Sequence, residues 1–118
     1  MANKLHYLGK ASDGSGDVYV FHCPGCGYSH PFHTNGDPKV HPQWFFNGDL
    51  TCPTFAPSLL CNKDRPESRC HSFVTKGQIK FLDDCYHGLK GQTVELPDWD
   101  CNEAELRTAA LRRNLRVI

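Results

Sequence analysis

Short runs with strand-like patterning, divided by turn-forming residues, make up most of the chain, and only its end carries a helical pattern. Val18–His22 alternates well enough for a strand leading into Cys-Pro-Gly-Cys, and Trp44–Phe46 gives an aromatic strand ending at the turn Asn47-Gly48-Asp49. The clearest element is a hairpin running from Cys70 to Asp84, with Lys76-Gly77 as its turn between β-branched and aromatic residues. Pairing Thr75 with Gln78 sets Val74 opposite Ile79, Ser72 opposite Phe81 and Cys70 opposite Asp83. With a period of two, Cys70, Asp83 and Cys85 share one face and His71, Phe73 and Leu82 the other, so Cys70 and Cys85 become diagonal neighbours. A slip of one residue would exchange the faces. The run Gln92–Leu96 reads as a further strand, ended by Pro97.

Residues 102 to about 115 predict the single helix. Asn102 can cap it, Glu105 sits three residues on, and Arg112, Arg113 and Arg116 crowd the last turn. Leu111, Leu115 and Ile118 recur at helical spacing and are expected to pack against the sheet. The expected fold is therefore α+β but mostly β: a small antiparallel sheet with a zinc-ribbon-like site and one C-terminal helix, in a single domain spanning residues 1–118.

Composition narrows the function. A chain of 118 residues builds one small core, and 10 Gly and 8 Pro argue for turns against a helical bundle. Thirteen Lys+Arg balance thirteen Asp+Glu, so no net field favours nucleic acid or an anionic membrane. No apolar run approaches the roughly 18 residues of a membrane span, and the N-terminus lacks the apolar segment of a secretory signal. The expected location is the bacterial cytosol. In that reducing compartment seven Cys, an odd number, point to metal ligands or buried thiols, and seven His accompany them.

Cys23-Pro24-Gly25-Cys26-Gly27 has the spacing of a zinc knuckle: two thiolates three positions apart reach one tetrahedral ion when the turn exposes N–H groups to the sulfurs. The rival reading, a redox pair, would open a helix, and Tyr28-Ser29-His30-Pro31-Phe32 is a poor helix start. The hairpin supplies Cys70, His71, Cys85 and His87 as further donors, and its register selects Cys70 with Cys85. The expected set is one structural zinc on Cys23, Cys26, Cys70 and Cys85, with His71 or His87 as alternates. His71 and His87 read either as structural donors beside that ion or as acid/base groups with Asp83 or Asp84. His22, His30, His33 and His41 offer a second metal or an exposed loop. Cys52, Cys61 and Cys101 read as small buried residues. Ser58 lies in an extended Pro-rich stretch without a GxSxG frame, which argues against a serine nucleophile. Trp44, Phe45 and Phe46 read as serving two faces of a small core rather than as a stacking platform.

The segments FHCPGCGYSHPF, WFFNGDLTCPTFAPSLL and RCHSFVTKGQIKFLDDCYHGLKGQTVELPDW resemble an uncharacterised bacterial and phage family often labelled ammonia monooxygenase in phage and prophage genomes. The likeness covers residues 18–99. It implies Cys23, Cys26, Cys70, His71, Cys85 and His87 as metal-like positions, with Trp44, Asn47, Gly48, Asp49, Pro53, Thr54, Phe55, Pro57 and Ser58 as a second motif. Cys52 and Ala56 depart from it, where a basic residue and Ser would be expected. The oxygenase label itself would require several membrane spans. Relatives encoded beside bacterial ubiquitin-like conjugation genes imply an adaptor or a hydrolase role.

Two functions are carried forward. The favoured one is a non-enzymatic interaction or adaptor module of phage or prophage type, with a protein partner and no membrane; Arg107, Arg112, Arg113 and Arg116 leave nucleic acid open. The alternative is a zinc-dependent hydrolase using His71, His87 and Asp83 or Asp84 as acid/base groups.

Overall fold

The computed structural model describes residues 2–101 and 103–115, with residues 103 and 112–115 described by their backbone alone. The chain is mostly β, as its patterning predicts, but forms two antiparallel sheets rather than one. The first is a meander of β1 (Leu5–Lys10), β2 (Asp17–His22) and β3 (Ser29–Thr34). The second runs in sequence order through β4 (Phe45–Phe46), β5 (Phe55–Cys61), β6 (Cys70–Thr75), β7 (Gln78–Phe81) and β8 (Thr93–Glu95). Helix α1 (Glu103–Leu115) follows. Among the described residues no helix is long and apolar enough to cross a membrane. β1 and β3 carry no pattern strong enough to announce them. β3 contains Pro31, which lacks an N–H for the ladder and is accommodated because β3 lies at the sheet edge.

Aromatic residues join the two sheets. Phe21 and Phe32 of the first meet Phe55 of the second, with Phe32 and Phe55 stacked at 4.1 Å. Leu5, Leu59, Val74, Ile79, Phe81, Leu89 and Leu96 extend this apolar interior. Backbone bonds stitch the same seam, with Lys4 N–H on the Leu50 carbonyl (2.7 Å) and Trp44 N–H on that of His33 (2.8 Å). Phe45 faces solvent and Phe46 packs on the core, so this run does serve two faces.

The hairpin has the expected register from Thr75–Gln78 to Ser72–Phe81. Lys76 (φ 50°) and Gly77 (φ 79°) both take the left-handed conformation, as a two-residue turn of this hand requires. β5 departs from regular pairing. Phe55 pairs with Val74 and Leu59 with Ser72, so Ala56, Pro57 and Ser58 all stand opposite Phe73. Such a bulge bends the strand and re-aims a side chain, and Pro57, with no N–H to pair, sits where the ladder is already interrupted.

Helix α1 packs differently from the expectation. Among its described side chains Leu106 and Ala110 are the buried ones, whereas Leu111 is 63% exposed. The reason lies in the knuckle: Gly27, with φ 80°, lets the helix come so close that a Cβ there would sit 2.9 Å from that of Ala110. Only a small residue fits the helix side of this contact. Asn102, Arg116 and Ile118 lie outside the described residues, as do the side chains of Arg112, Arg113 and Leu115.

Candidate functional site

Two constellations meet at β6. The first is a buried sulfur and imidazole cluster. In the knuckle the Cys26 N–H donates to Cys23 Sγ (3.4 Å) and the Gly27 N–H to the Cys23 carbonyl (2.9 Å), the turn that exposes amides to a thiolate. Cys70, from the start of β6, brings its sulfur to 3.9 Å from that of Cys23. Donor atoms of Cys23, Cys26, His30 and Cys70 all lie within 4.8 Å of one another, and those of Cys70, Cys85 and His87 form an adjoining group. These buried groups could hold a metal ion. All seven cysteines are free of disulfides.

The cluster's electrostatics suit a cation. Burial pushes the Cys23 thiol up, but the neighbouring thiols of Cys26 and Cys70 and the imidazoles of His30 and His87 outweigh it and hold Cys23 well below the usual thiol range. Cys70 is pushed up, first by its bond to Cys23 and then by Cys26 and Cys85. One thiolate thus suppresses the next, and a cation at the centre removes that conflict. Cys85 is drawn down to about 5, chiefly by the Cys70 thiol as donor and against its own burial. That donor disappears once Cys70 yields its proton to a metal.

His87 is fully buried, ringed by Phe81 (4.4 Å) and Tyr86 (5.3 Å). Its Nδ1 accepts the Leu89 N–H (3.2 Å) and its Nε2 faces Cys70 Sγ at 3.5 Å. Gly25 is needed here for space rather than for a special φ, because a Cβ on it would overlap the His87 ring. Sequence spacing cannot show that contact.

The second constellation lies on the opposite, solvent-facing side of the same strand. His71 Nε2 is 2.9 Å from Ser58 Oγ, and His71 Nδ1 is 3.2 Å from Asp84 Oδ2. The carboxylate fixes the proton on Nδ1, leaving Nε2 to accept the serine hydroxyl. A serine, a histidine and an aspartate in this order form the arrangement that activates a hydroxyl as a nucleophile. The β5 bulge aims Ser58 across to β6, and the turn Leu82–Cys85 brings Asp84 up to the ring. Leu60, opposite His71, and Phe73, two residues along, flank the serine, each 41% exposed. The Asn47-Gly48-Asp49 motif anchors the loop before β5: Asp49 Oδ1 accepts from the Thr51 N–H (2.9 Å), its hydroxyl (2.8 Å) and the Cys52 N–H (3.1 Å).

The expectation against Ser58 as a nucleophile rests on the missing GxSxG frame alone, and the structure sets its hydroxyl beside His71 Nε2. A GxSxG frame serves a strand-to-helix elbow, and here a bulge within a strand does the aiming instead. Of the expected acid/base candidates, His71 and Asp84 come together, His87 belongs to the buried cluster, and Asp83 faces Gly91. His22 bonds to Ser29 Oγ (3.0 Å) and the Trp99 carbonyl (2.8 Å), and His33 stacks on His41 (4.2 Å). His30 alone of those four joins the sulfurs. Cys61 is not a buried apolar thiol; it is half-buried and lies 3.5 Å from His30 Nδ1. Cys52 and Cys101 are likewise half-buried.

A family model described as bacterial ubiquitination-like system serine protease (BubE) matches residues 1–82. The chain belongs to the BubE family. The segment matched to BubE contains the knuckle, His30, Ser58, Cys70 and His71, and ends two residues before Asp84. No curated protein and no solved structure matches the chain.

Proposed function

We propose that this chain is a serine protease of a ubiquitination-like system, with Ser58 as nucleophile, His71 as general base and acid, and Asp84 as the group that orients His71. The observation that carries the reading is the Ser58–His71–Asp84 chain of contacts, at 2.9 and 3.2 Å. The description of the BubE family supports it. As Ser58 Oγ adds to the carbonyl carbon of the scissile bond, His71 Nε2 takes its proton. The tetrahedral intermediate collapses when His71 returns that proton to the leaving amine, giving an acyl ester on Ser58. Water then repeats the sequence and releases the acid. Asp84 orients the ring throughout and stabilises the imidazolium each time it forms.

The site lies on an open sheet face beside Leu60 and Phe73, a surface that a polypeptide chain can cross. The closed thiol cluster argues for a non-enzymatic adaptor when read alone, but it leaves unexplained why a hydroxyl, an imidazole and a carboxylate converge on the other face of β6. His71 and Asp84 keep the acid/base role considered for a zinc hydrolase, here acting on Ser58 rather than on a metal-bound water. The metal is read as a structural zinc, because thiolate and imidazole donors in a buried, closed group suit that ion.

The test is active-site labelling. The full-length, zinc-reconstituted chain is treated with a fluorophosphonate, and the adduct is mapped by mass spectrometry. Modification of Ser58, lost in Ser58→Ala and strongly slowed in His71→Ala, is expected. An unlabelled Ser58 in the folded, metal-loaded protein would refute the reading.

A further inference from the structure

We infer that His30, rather than Cys85, completes the metal centre with Cys23, Cys26 and Cys70, and that Cys85 instead positions the histidine of the proposed triad. The second half rests on the protease reading; the first does not.

His30 is 3% exposed, and its Nε2 has no hydrogen-bond partner in the protein. Its Nδ1 lies 3.5 Å from Cys61 Sγ. An imidazole that donates Nδ1–H to that sulfur keeps its lone pair on Nε2, the state a metal requires, and an outer donor of this kind commonly fixes a ligand ring. Because the His30 donor atom is grouped with Cys23, Cys26 and Cys70, four ligands of the usual zinc type are assembled without Cys85. His87 has the opposite tautomer. Its Nδ1 accepts from Leu89, so the proton sits on Nε2 and points at Cys70 Sγ, as a donor to a bound thiolate rather than a ligand.

Cys85 is engaged elsewhere. Its sulfur accepts the His71 N–H (3.2 Å) and donates to the His71 carbonyl (3.1 Å), which also takes the Leu82 N–H (2.9 Å). Three bonds therefore hold the backbone of His71 to the turn that carries Asp84. Cys85 touches no reacting atom. It acts by keeping the Asp84 carboxylate in register with His71 Nδ1, and through that with Ser58.

Cobalt(II) replacement of the metal in the full-length reduced chain separates the assignments, because sulfur-to-cobalt charge-transfer absorption scales with the number of bound thiolates. Wild type should show the intensity of three thiolates and Cys85→Ser the same, while His30→Cys should rise to that of four. His30→Cys retains four donors, which keeps the fold where His30→Ala could lose it. A four-thiolate spectrum in the wild type, or one that drops in Cys85→Ser, would overturn the ligand set. For the positioning role, fluorophosphonate labelling of Ser58 is measured in metal-loaded variants. Cys85→Ala should slow it about 10- to 100-fold, the scale of a small misplacement. Cys85→Ser, whose hydroxyl can accept and donate in the same place, should recover part of the rate. Labelling of Cys85→Ala at the wild-type rate would overturn the role. No labelling of the wild type would refute the protease reading instead and leave the cobalt result standing.

Discussion

Cys70 and His71 are consecutive on β6, and the strand sends them to opposite faces: Cys70 Sγ lies 3.9 Å from the buried Cys23 sulfur, and His71 Nε2 lies 2.9 Å from Ser58 Oγ on the solvent side. Across the hairpin Asp84 and Cys85 are neighbours that both hold His71, Asp84 at its ring and Cys85 at its backbone. The proposed metal centre and triad thus draw on adjoining residues of β6 without sharing a side chain.

Replacing Asp84 tests the triad without disturbing the core, since its side chain is 42% exposed. Asp84→Asn should lower the rate of peptide hydrolysis by about 10³- to 10⁴-fold, because an amide can hold the imidazole with its proton on the wrong nitrogen. Unfolding in urea should shift by no more than about 0.5 kcal/mol. Steady-state kinetics and the denaturation curve read the two effects independently.

Phe73 separates substrate contact from stability. It is 41% exposed, so Phe73→Ala should stay within about 0.5 kcal/mol of the native stability. If a polypeptide crosses the sheet beside Ser58, the same change raises KM while leaving kcat near its original value. Phe55→Ala, at the buried seam with Phe32, should by contrast cost about 3–5 kcal/mol.

Gly25→Ala places a methyl group into the His87 ring. That ring is packed against Phe81 and cannot retreat into solvent, so a loss of about 1–3 kcal/mol is expected, with the range set by how far the knuckle shifts. Thermal and urea unfolding of the zinc-loaded variant would measure it, and an unchanged stability would show that the knuckle has room to move.

Metal removal should loosen the joint between the sheets. Chelation under reducing conditions is expected to lower the unfolding temperature, and restored zinc to recover it. Protons compete with the ion for thiolates and imidazole alike, so affinity falls as pH falls. Titration with a chromophoric chelator at several pH values would follow this, and affinity independent of pH would exclude thiolate ligation.

The β6–β7 hairpin was legible because a two-residue turn fixes its register, and the register alone places Cys70 and His71 on different faces. Ser58 was hidden because its approach depends on the bulge opposite Phe73, and no local pattern in Phe55–Cys61 announces where a strand will break step. A signal did exist: the hairpin register alone sends His71 to the face away from Cys70 and Cys85, although only the structure sets the serine-bearing strand against it. In the sequence His30 is one of four histidines around the knuckle and its loop, and only the meeting of the two sheets distinguishes it. The helix misled for a related reason. Its spacing singled out Leu111, whereas the closeness of Gly27 selected Leu106 and the small Ala110.

Each sheet pairs only strands that follow one another in sequence, whereas the sulfur cluster joins residues as far apart as Cys23 and Cys70. Local pairings close quickly and long loops late, so the two meanders are expected to form first, with capture of the ion as the step that commits them to one another. Stopped-flow refolding should then show a phase whose rate depends on zinc concentration, after β structure has already appeared. A cell short of zinc would accumulate chains with paired strands and an open seam, and the seam's aromatic faces would be what a quality-control protease or chaperone meets.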